Sequence, residues 1–298
     1  MKYAFFPGCV SKGACPELYQ SVMQVYPKIG IELEEMTTAA CTGAGVLQEK
    51  DQQLGDTINA RTFAMAEQKG LPIMTICSTC QGVMSQANQR LTTDSEYLAA
   101  INEDLTEEGL HYQGTTQIRH FVWALLEDIG EEEIRRHITR PLTGLRAAPF
   151  YGCYLQRPTD ALEFEEHPSR AKSLEQVIGL LGAEVVDFPG KTQCCGFPIL
   201  TINEPNSLRM VADHTGDAKE HGADIMVTPC PLCHLNLDGM QTKAAKFRNT
   251  SIDLPILHLP QLLGLAMGMP PEALGLKRNF VSPESVLQKI GIGTSSKG

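Results

Sequence analysis

The sequence "GADIMVTPCPLC", residues 222–233, has a counterpart earlier in the chain in "GLPIMTICSTC", residues 70–80. In both, a glycine precedes a short apolar run that leads directly into two cysteines separated by two residues. A short apolar run bounded by turn-forming residues is consistent with a buried strand of a parallel sheet. Each sequence therefore predicts a buried strand that leads into a Cys-x-x-Cys motif, with a helix following it.

Three further pairs of segments recur in the same order. They are "FPGC" at 6–9 and "FYGC" at 150–153, "GIELEEM" from Gly30 and "GAEVVDF" from Gly182, and "CTG" at 41–43 and "CCG" at 194–196. From Gly30 onward the two copies keep a steady separation of 152 or 153 residues. Self-similarity at a fixed separation indicates an internal duplication, so we expect two halves of the same fold.

Strands and helices alternate along each half. Strands are expected at 3–6 and 148–151, and helices at 16–29, 51–68, 169–181 and 205–221. This alternation is typical of βαβ units with a mostly parallel sheet, in which ligands bind at the carboxyl ends of the strands. We therefore predict an α/β protein of two pseudo-symmetric βαβ-type repeats with mostly parallel sheets, in which each cysteine group follows a strand.

The expected organisation has four parts. Residues 1–92 form the first repeat, 93–145 a helical connector, 146–270 the second repeat and 271–298 a C-terminal tail. The connector contains "FVWALLEDIGEEEIRRHI", which suits helices, and the tail is rich in Gly, Pro, Ser and Lys. We expect the end of this tail to be loosely held.

Composition excludes several classes of protein. The formal net charge of −10 argues against broad affinity for nucleic acid, which requires a basic surface. No segment approaches the roughly 18 consecutive apolar residues of a membrane span, and the apolar run of "MKYAFF" is too short for a signal-peptide core. We therefore predict a cytoplasmic location. In that compartment the 10 cysteines indicate metal or redox chemistry rather than disulfides.

The cysteines divide into one set per half. The first set is Cys9, Cys41, Cys77 and Cys80, and the second is Cys153, Cys194, Cys195, Cys230 and Cys233. Four sulfurs suit either a zinc ion or an ordinary iron–sulfur cluster. Five sulfurs, two of them adjacent in sequence, are more than one zinc ion uses, whereas a polynuclear cluster can accommodate them all. A helix that begins at each Cys-x-x-Cys would add backbone N–H groups that stabilise thiolates.

The pattern of one cysteine, then "CCG", then Cys-x-x-Cys resembles the cysteine-rich CCG domain, which is duplicated in one subunit of heterodisulfide reductase, its B subunit. Similar halves occur in a glycolate oxidase iron–sulfur subunit, in unusual succinate dehydrogenase subunits and in bacterial sulfur-oxidation complexes. The resemblance covers nearly the whole chain, from "FPGC" to "HLPQLLGLAMG" at 258–268.

This resemblance implies an iron–sulfur oxidoreductase subunit that is active only in a complex. The second set would hold a non-cubane [4Fe–4S] cluster, with Cys194 and Cys195 as its catalytic residues, and the first set would hold a second cluster. The clusters would exchange electrons one at a time with a thiol or disulfide substrate, or with a sulfur carrier. The expected partners are a second iron–sulfur subunit and a flavin-bearing subunit.

The first half departs from this pattern because it has one sulfur fewer. Thr42 of "ACTG" stands where the repeat predicts a cysteine, although a one-residue slip would make Ala40 the replaced position. The first set could therefore hold a non-cubane cluster with an altered ligand, a cubane, a smaller cluster or zinc. Cys15 is either a substitute ligand or a buried packing residue. His234 could hydrogen-bond a cluster sulfur or transfer a proton to a substrate thiolate. Alternatively, it could be a surface residue or a helix-capping residue.

Three functional hypotheses follow. The first is a heterodisulfide-reductase-like subunit that acts on sulfur substrates, and the second is an electron relay in a succinate dehydrogenase-like or glycolate oxidase-like complex. The third is a zinc-stabilised scaffold. The chain contains no G-x-G-x-x-G dinucleotide motif, so we expect its electrons to be exchanged with a partner.

Overall fold

Eight short strands form two sheets in a computed structural model that describes residues 1–249 and 251–293. The strands are β1 (Lys2–Phe6), β2 (Glu32–Glu35), β3 (Ile73–Thr75), β4 (Ile118–His120), β5 (Arg146–Pro149), β6 (Glu184–Val185), β7 (Ile225–Thr228) and β8 (Ile256–His258). The sheet orders are β2-β1-β3-β4 and β6-β5-β7-β8, and every pairing is parallel. The prediction of an α/β fold with two repeated halves is confirmed.

Helices connect the strands and cover the sheets. They are α1 (Cys9–Gly13), α2 (Pro16–Val25), α3 (Leu47–Lys50), α4 (Gln52–Lys69), α5 (Ser78–Thr93), α6 (Ser95–Leu105), α7 (Phe121–Trp123), α8 (Glu131–His137), α9 (Ser173–Leu180), α10 (Glu204–Glu220), α11 (Pro231–Gly239), α12 (Gln241–Ala244), α13 (Leu259–Ala266) and α14 (Glu284–Lys289). A π-helix over Ala124–Ile129 continues α7. Within the predicted helix 16–29, α2 ends at Val25 and a 3₁₀ turn, Tyr26–Ile29, follows it.

The interval 93–145 contains a strand as well as helices. Its strand β4 pairs with β3 and completes the first sheet, just as β8 completes the second. Three residues are too few to display a period-two pattern, which is why the sequence indicated only helices here. The four domain boundaries remain predictions. Of the predicted tail, residues 271–293 include α14, and residues 294–298 lie outside the described residues.

The hydrophobic core is shared between the halves. Tyr3 and Phe5 on β1 lie in one apolar cluster, and Ala4 and Phe6 lie in another, because successive side chains of a strand point to opposite faces. Each of the two clusters contains residues of both repeats. In particular, α2 of the first half packs against α13 of the second. The strand ends of the two sheets are therefore held in a fixed relation.

A buried ion pair links the second half to the connector. The Arg170 side chain is 2% exposed, and its Nε and Nη2 bond the two Glu127 carboxylate oxygens at 2.7 and 2.8 Å. Its guanidinium also lies 4.4 Å from the centre of the Trp123 ring. Lysine cannot reproduce this planar, two-pronged contact. We expect Arg170→Lys to lower the free energy of unfolding by about 2 kcal/mol.

Chemical denaturation of both forms measures this difference. Arg136 provides the control, since it pairs with Glu133 at 2.8 Å but is 70% exposed. Arg136→Lys should change the free energy of unfolding by less than about 0.5 kcal/mol. Equal losses in the two variants would contradict the assignment.

Candidate metal centre

The cysteines lie where strands end. Cys9 opens α1 shortly after β1 ends, and Cys153 occupies the corresponding position after β5. Cys77 and Cys230 are the N-cap residues of α5 and α11, so the second cysteine of each Cys-x-x-Cys lies in the first turn of a helix. The loops after β2 and β6 supply the remaining cysteines. Neighbouring parallel strands end at the same edge of a sheet, and this topology brings distant cysteines together.

The thiols of the five cysteines of the second set lie close enough to influence one another. The thiol of Cys194 interacts with those of Cys153 and Cys195, and the thiol of Cys195 interacts with that of Cys233. Cys233 in turn interacts with Cys230. All five predicted ligands of the second half therefore lie together, and each of them is a free thiol.

The first set has the same arrangement with one replacement. Cys9 Sγ lies 3.7 Å from Cys41 Sγ, as Cys153 contacts Cys194 in the second half. Thr42 Oγ1 lies 4.0 Å from Cys80 Sγ, as Cys195 contacts Cys233. Thr42 is buried whereas Ala40 is exposed. Thr42 is therefore the residue that stands in place of the fifth cysteine.

The two sets meet at the centre of the molecule. The thiols of Cys77 and Cys230, the first cysteines of the two Cys-x-x-Cys motifs, are near enough for each to shift the pKa of the other, raising that of Cys77 and lowering that of Cys230. Thr79 Oγ1 lies 3.6 Å from Cys230 Sγ, and Ser78 Oγ donates to the carbonyl of Pro229 at 3.3 Å. The two Cys-x-x-Cys motifs are therefore close to one another.

A glycine before the first cysteine of each set permits close packing of sulfur against the backbone. Gly8 and Gly152 have φ angles of 77° and 70°, in the left-handed region that other residues rarely adopt. A Cβ on Gly8 would lie 3.3 Å from Cys80 Sγ, and one on Gly152 would lie 2.8 Å from Cys233 Sγ. The sequence contained these glycines in "FPGC" and "FYGC", but their role depends on a contact with a residue about 70 to 80 positions away.

Side chains from the helices hold the "CCG" loop through its carbonyls. His214 Nε2 lies 2.9 Å from the Cys194 carbonyl, and Asn236 Nδ2 donates to the Cys195 carbonyl at 2.7 Å. In the first half Asn59 Nδ2 donates to the Thr42 carbonyl at 3.1 Å. Sequence reasoning missed these residues because buried polar side chains of long helices carry no local signal of the loop they support.

Two thiols in the second set have lowered pKa values. Hydrogen bonds from the thiols of Cys153 and Cys195 lower the pKa of Cys194 to about 2, and the Gly196 N–H adds a contact at 3.4 Å. Interaction with Cys233, and then with Cys77, lowers the pKa of Cys230. Metal ligands must be deprotonated, and close packing of several thiols favours the loss of protons from some of them.

The cysteines of the two sets differ in how exposed they are to solvent. Burial raises the pKa of Cys9 to about 11, and Cys41 beside it is exposed. Cys153 and Cys194 are half-buried, whereas the other three members of the second set are buried. An open cleft of about 710 Å³ lies over Cys153, lined also by Gln86, Tyr154, Arg157, Pro158, Thr159 and Asp160. A small molecule can therefore approach the second set from this side.

The number of thiols in the second set exceeds what a single zinc ion binds. Zinc ligands lie about 3–4 Å from one another because each lies about 2.0–2.3 Å from the ion. Among the described residues, the one group of three or more ligand atoms that all lie within 4.8 Å of one another contains Cys15, Glu17, His234 and His258. It includes no cysteine of either set. The five thiols of the second set can all be used by a polynuclear cluster.

Cys15 and His234 lie apart from the two sets. Cys15 is fully buried, with its Sγ 3.5 Å from the Pro231 carbonyl, and His234 is 1% exposed rather than at the surface. His120 and His258, which end β4 and β8, are also buried. Cys15, Glu17, His234 and His258 are called the buried cluster below.

Several known proteins are similar to this chain over nearly its whole length. A protein 37% identical over 94% of this chain and 97% of its own length is the 8-methylmenaquinol:fumarate reductase membrane anchor subunit of Wolinella succinogenes. A protein of Archaeoglobus profundus, named as similar to the B subunit of heterodisulfide reductase, is 32% identical over 91% of this chain and 92% of its own. The B subunit of a ferredoxin/F420H2-dependent CoB-CoM heterodisulfide reductase from Methanosarcina acetivorans is 30% identical over 97% of each chain.

A solved structure supports the fold alone. A hypothetical protein from Helicobacter pylori superposes with a TM-score of 0.75 at 18% identity over 94% of this chain, which spans 52% of that protein's length. No helix within residues 1–249 and 251–293 has the length and apolar character needed to cross a membrane. The CCG cysteine-rich domain matches residues 3–85 and again residues 147–238. The chain therefore belongs to the CCG cysteine-rich domain family and carries one such domain in each half.

Proposed function

We propose that this chain is the iron–sulfur subunit of a multi-subunit oxidoreductase and transfers electrons through cofactors bound at its two cysteine sets. In this proposal the second set holds a non-cubane [4Fe–4S] cluster on Cys153, Cys194, Cys195, Cys230 and Cys233. The first set, Cys9, Cys41, Cys77 and Cys80, holds a further iron–sulfur cluster. The observation that carries the proposal is the convergence of five free thiols, from three segments of the second half, which is more than one zinc ion binds.

In this proposal the protein binds the two clusters and positions them relative to each other. Such a cluster, when bound, supplies one-electron oxidation and reduction. The Cys-x-x-Cys motifs begin α5 and α11, with Cys77 and Cys230 as the N-cap residues, and the positive end of a helix dipole favours an anionic ligand placed there. Because the thiols of Cys77 and Cys230 are close to one another, cofactors held by the two sets would be neighbours, and two single electrons could be handled close together.

A sulfur substrate is the first candidate. The cleft beside Cys153 and the partial exposure of Cys194 give a thiol, a disulfide or a carrier-bound sulfur group access to the second set. Relatives at 30–32% identity are named as the B subunit of a heterodisulfide reductase or as a protein like it. We propose Cys194 and Cys195 as the residues next to the reacting sulfur. The proposed partners are a second iron–sulfur subunit and a flavin-bearing subunit, and the proposed location is the cytoplasm.

An electron relay without sulfur chemistry is the second candidate. The relative at 37% identity is named as a subunit of a fumarate reductase. Thr42 also makes the two sets unequal, which suits a relay better than symmetrical attack on a substrate by two matched clusters.

Anaerobic isolation of the chain with its natural partners distinguishes these candidates. With a redox dye as electron donor or acceptor, we expect the complex to interconvert a thiol and its disulfide, and not to reduce fumarate. Fumarate reduction that is independent of added thiols would instead establish the relay. A complex with neither activity and no acid-labile sulfide would contradict both.

Restoring the missing sulfur tests the role assigned to Thr42. Since its hydroxyl lies 4.0 Å from Cys80 Sγ, we expect Thr42→Cys to give the first set a fifth thiolate and to change the paramagnetic spectrum of the reduced protein. Electron paramagnetic resonance of the anaerobically purified variant measures this change. Ala40→Cys is the matched control, because Ala40 is exposed whereas the Thr42 side chain is buried beside Cys80. Identical spectra for Thr42→Cys and the unmodified chain would contradict the assignment.

A further inference from the structure

Four potential metal ligands from both halves meet in the buried cluster, separate from the two cysteine sets. Cys15 and Glu17 lie at the start of α2, His234 lies in α11, and His258 is the N-cap residue of α13. One ligand atom from each lies within 4.8 Å of the others, and all four residues are buried. We propose that the buried cluster binds one Zn²⁺ ion that fastens the first half to the second.

The distances within the cluster centre on Glu17. His258 Nε2 lies 3.3 Å from Glu17 Oε1, and His234 Nδ1 lies 3.9 Å from the same oxygen. The two imidazole rings stack with their centres 4.0 Å apart, so both present nitrogen on one side. Separations of this size are close to those between the ligands of one tetrahedral zinc ion, which are about 3–4 Å.

Hydrogen bonds outside the cluster orient His234 as a ligand. Its Nε2 lies 3.0 Å from the Ile256 carbonyl, which places the proton on Nε2 and leaves a lone pair on Nδ1. Nδ1 is buried and has no hydrogen-bond partner among the described residues, yet it faces Glu17. Metal-binding histidines are typically held in this way, with the second nitrogen donating to a backbone carbonyl.

A contact outside the buried cluster also orients the Glu17 carboxylate. Arg278 Nε lies 3.5 Å from its Oε2, so that Oε1 remains directed at the two histidines. A buried carboxylate and a buried thiolate are costly unless a cation compensates them. With neutral histidines, the carboxylate of Glu17 and the thiolate of Cys15 carry two negative charges, which match Zn²⁺.

The donor set indicates the metal and its role. One sulfur, two imidazole nitrogens and one carboxylate oxygen suit zinc, and a fully enclosed set with no open position is typical of a structural site. Because the ligands come from α2 on one side and from α11 and α13 on the other, the complete site would form only when the halves are docked. The binding free energy of the ion would then stabilise the folded state.

The first half provides an internal control. His120 ends β4 as His258 ends β8, and Gln81 follows the first Cys-x-x-Cys as His234 follows the second. His120 is fully buried but belongs to no group of three or more candidate ligand atoms among the described residues. His120→Gln is therefore a matched substitution outside the proposed site.

The test measures zinc in the full-length chain after anaerobic purification with its iron in place. We expect about one zinc per chain, with an X-ray absorption spectrum that fits one sulfur and three nitrogen or oxygen neighbours. Cys15→Ser and His258→Gln should each lose this zinc, whereas His120→Gln should keep it. Iron and acid-labile sulfide should not change in any of the three.

Three results would overturn the proposal: no zinc in chain produced with a zinc supply, a zinc spectrum with sulfur neighbours alone, or retention of zinc in both ligand variants. The spectrum of the unmodified chain is decisive even if the variants fail to fold. Failure of the proposed function appears separately, as a lack of iron and acid-labile sulfide.

Discussion

Replacing Cys195 with serine is expected to remove roughly half of the iron and acid-labile sulfide that the chain binds, with its secondary structure retained. Cys195 joins the two parts of the second set, since its thiol contacts Cys194 on one side and Cys233 on the other. Serine occupies nearly the same volume at this buried position but offers a hydroxyl, which is a poor ligand for iron. The loss should therefore concern the cluster and not the fold.

Iron and sulfide analysis, together with electron paramagnetic resonance, measures this loss. Thr42→Ser is the matched control, because Thr42 occupies the equivalent position in the first half and contributes no sulfur. That variant should bind as much iron as the unmodified chain. An unaltered paramagnetic signal in Cys195→Ser would show that Cys195 is not a ligand.

Gly152→Ala is expected to destabilise the second half by about 2–5 kcal/mol and to reduce its iron content, because two penalties combine. The φ angle of 70° is unfavourable for alanine, and the added Cβ would lie only 2.8 Å from Cys233 Sγ. Either the backbone or the sulfur must move, and movement of the sulfur displaces a proposed ligand. The midpoint of thermal unfolding and the iron content report the two effects.

Alanine substitutions at two other glycines provide the comparison for Gly152→Ala. A Cβ on Gly8 would lie 3.3 Å from Cys80 Sγ, so Gly8→Ala should cost less than Gly152→Ala although its φ of 77° carries the same strain. Gly179 lies in α9 with open space around it, and Gly179→Ala should stabilise the chain by about 0.5–1 kcal/mol. Equal iron contents in Gly152→Ala and Gly179→Ala would refute the role given to Gly152.

The parts of the fold that the sequence predicted are those encoded locally and then repeated. The strands before Cys77 and Cys230 are short apolar runs, and their motifs recur at a steady separation, so one half supports the interpretation of the other. The grouping of cysteines at strand ends follows from the same pattern, because parallel strands end at one edge. Strand β4 was missed since its three residues carry no periodic signal.

Features that depend on contacts between distant residues were not predictable in this way. The choice between Ala40 and Thr42 required the contact of Thr42 with Cys80, and the sequence alone left both open. The buried cluster joins Cys15 and Glu17 to histidines more than 200 positions away, so no spacing rule could reveal it. The positions of Gly8 and Gly152 against sulfur likewise appear only in three dimensions.

The central claim is that the two cysteine sets hold iron–sulfur clusters rather than zinc. The most direct test is the content of iron, acid-labile sulfide and zinc in the chain purified without oxygen. We expect iron and sulfide in similar amounts, at least about four of each per chain, and no more than about one zinc. Two or more zinc ions per chain, without acid-labile sulfide, would contradict it.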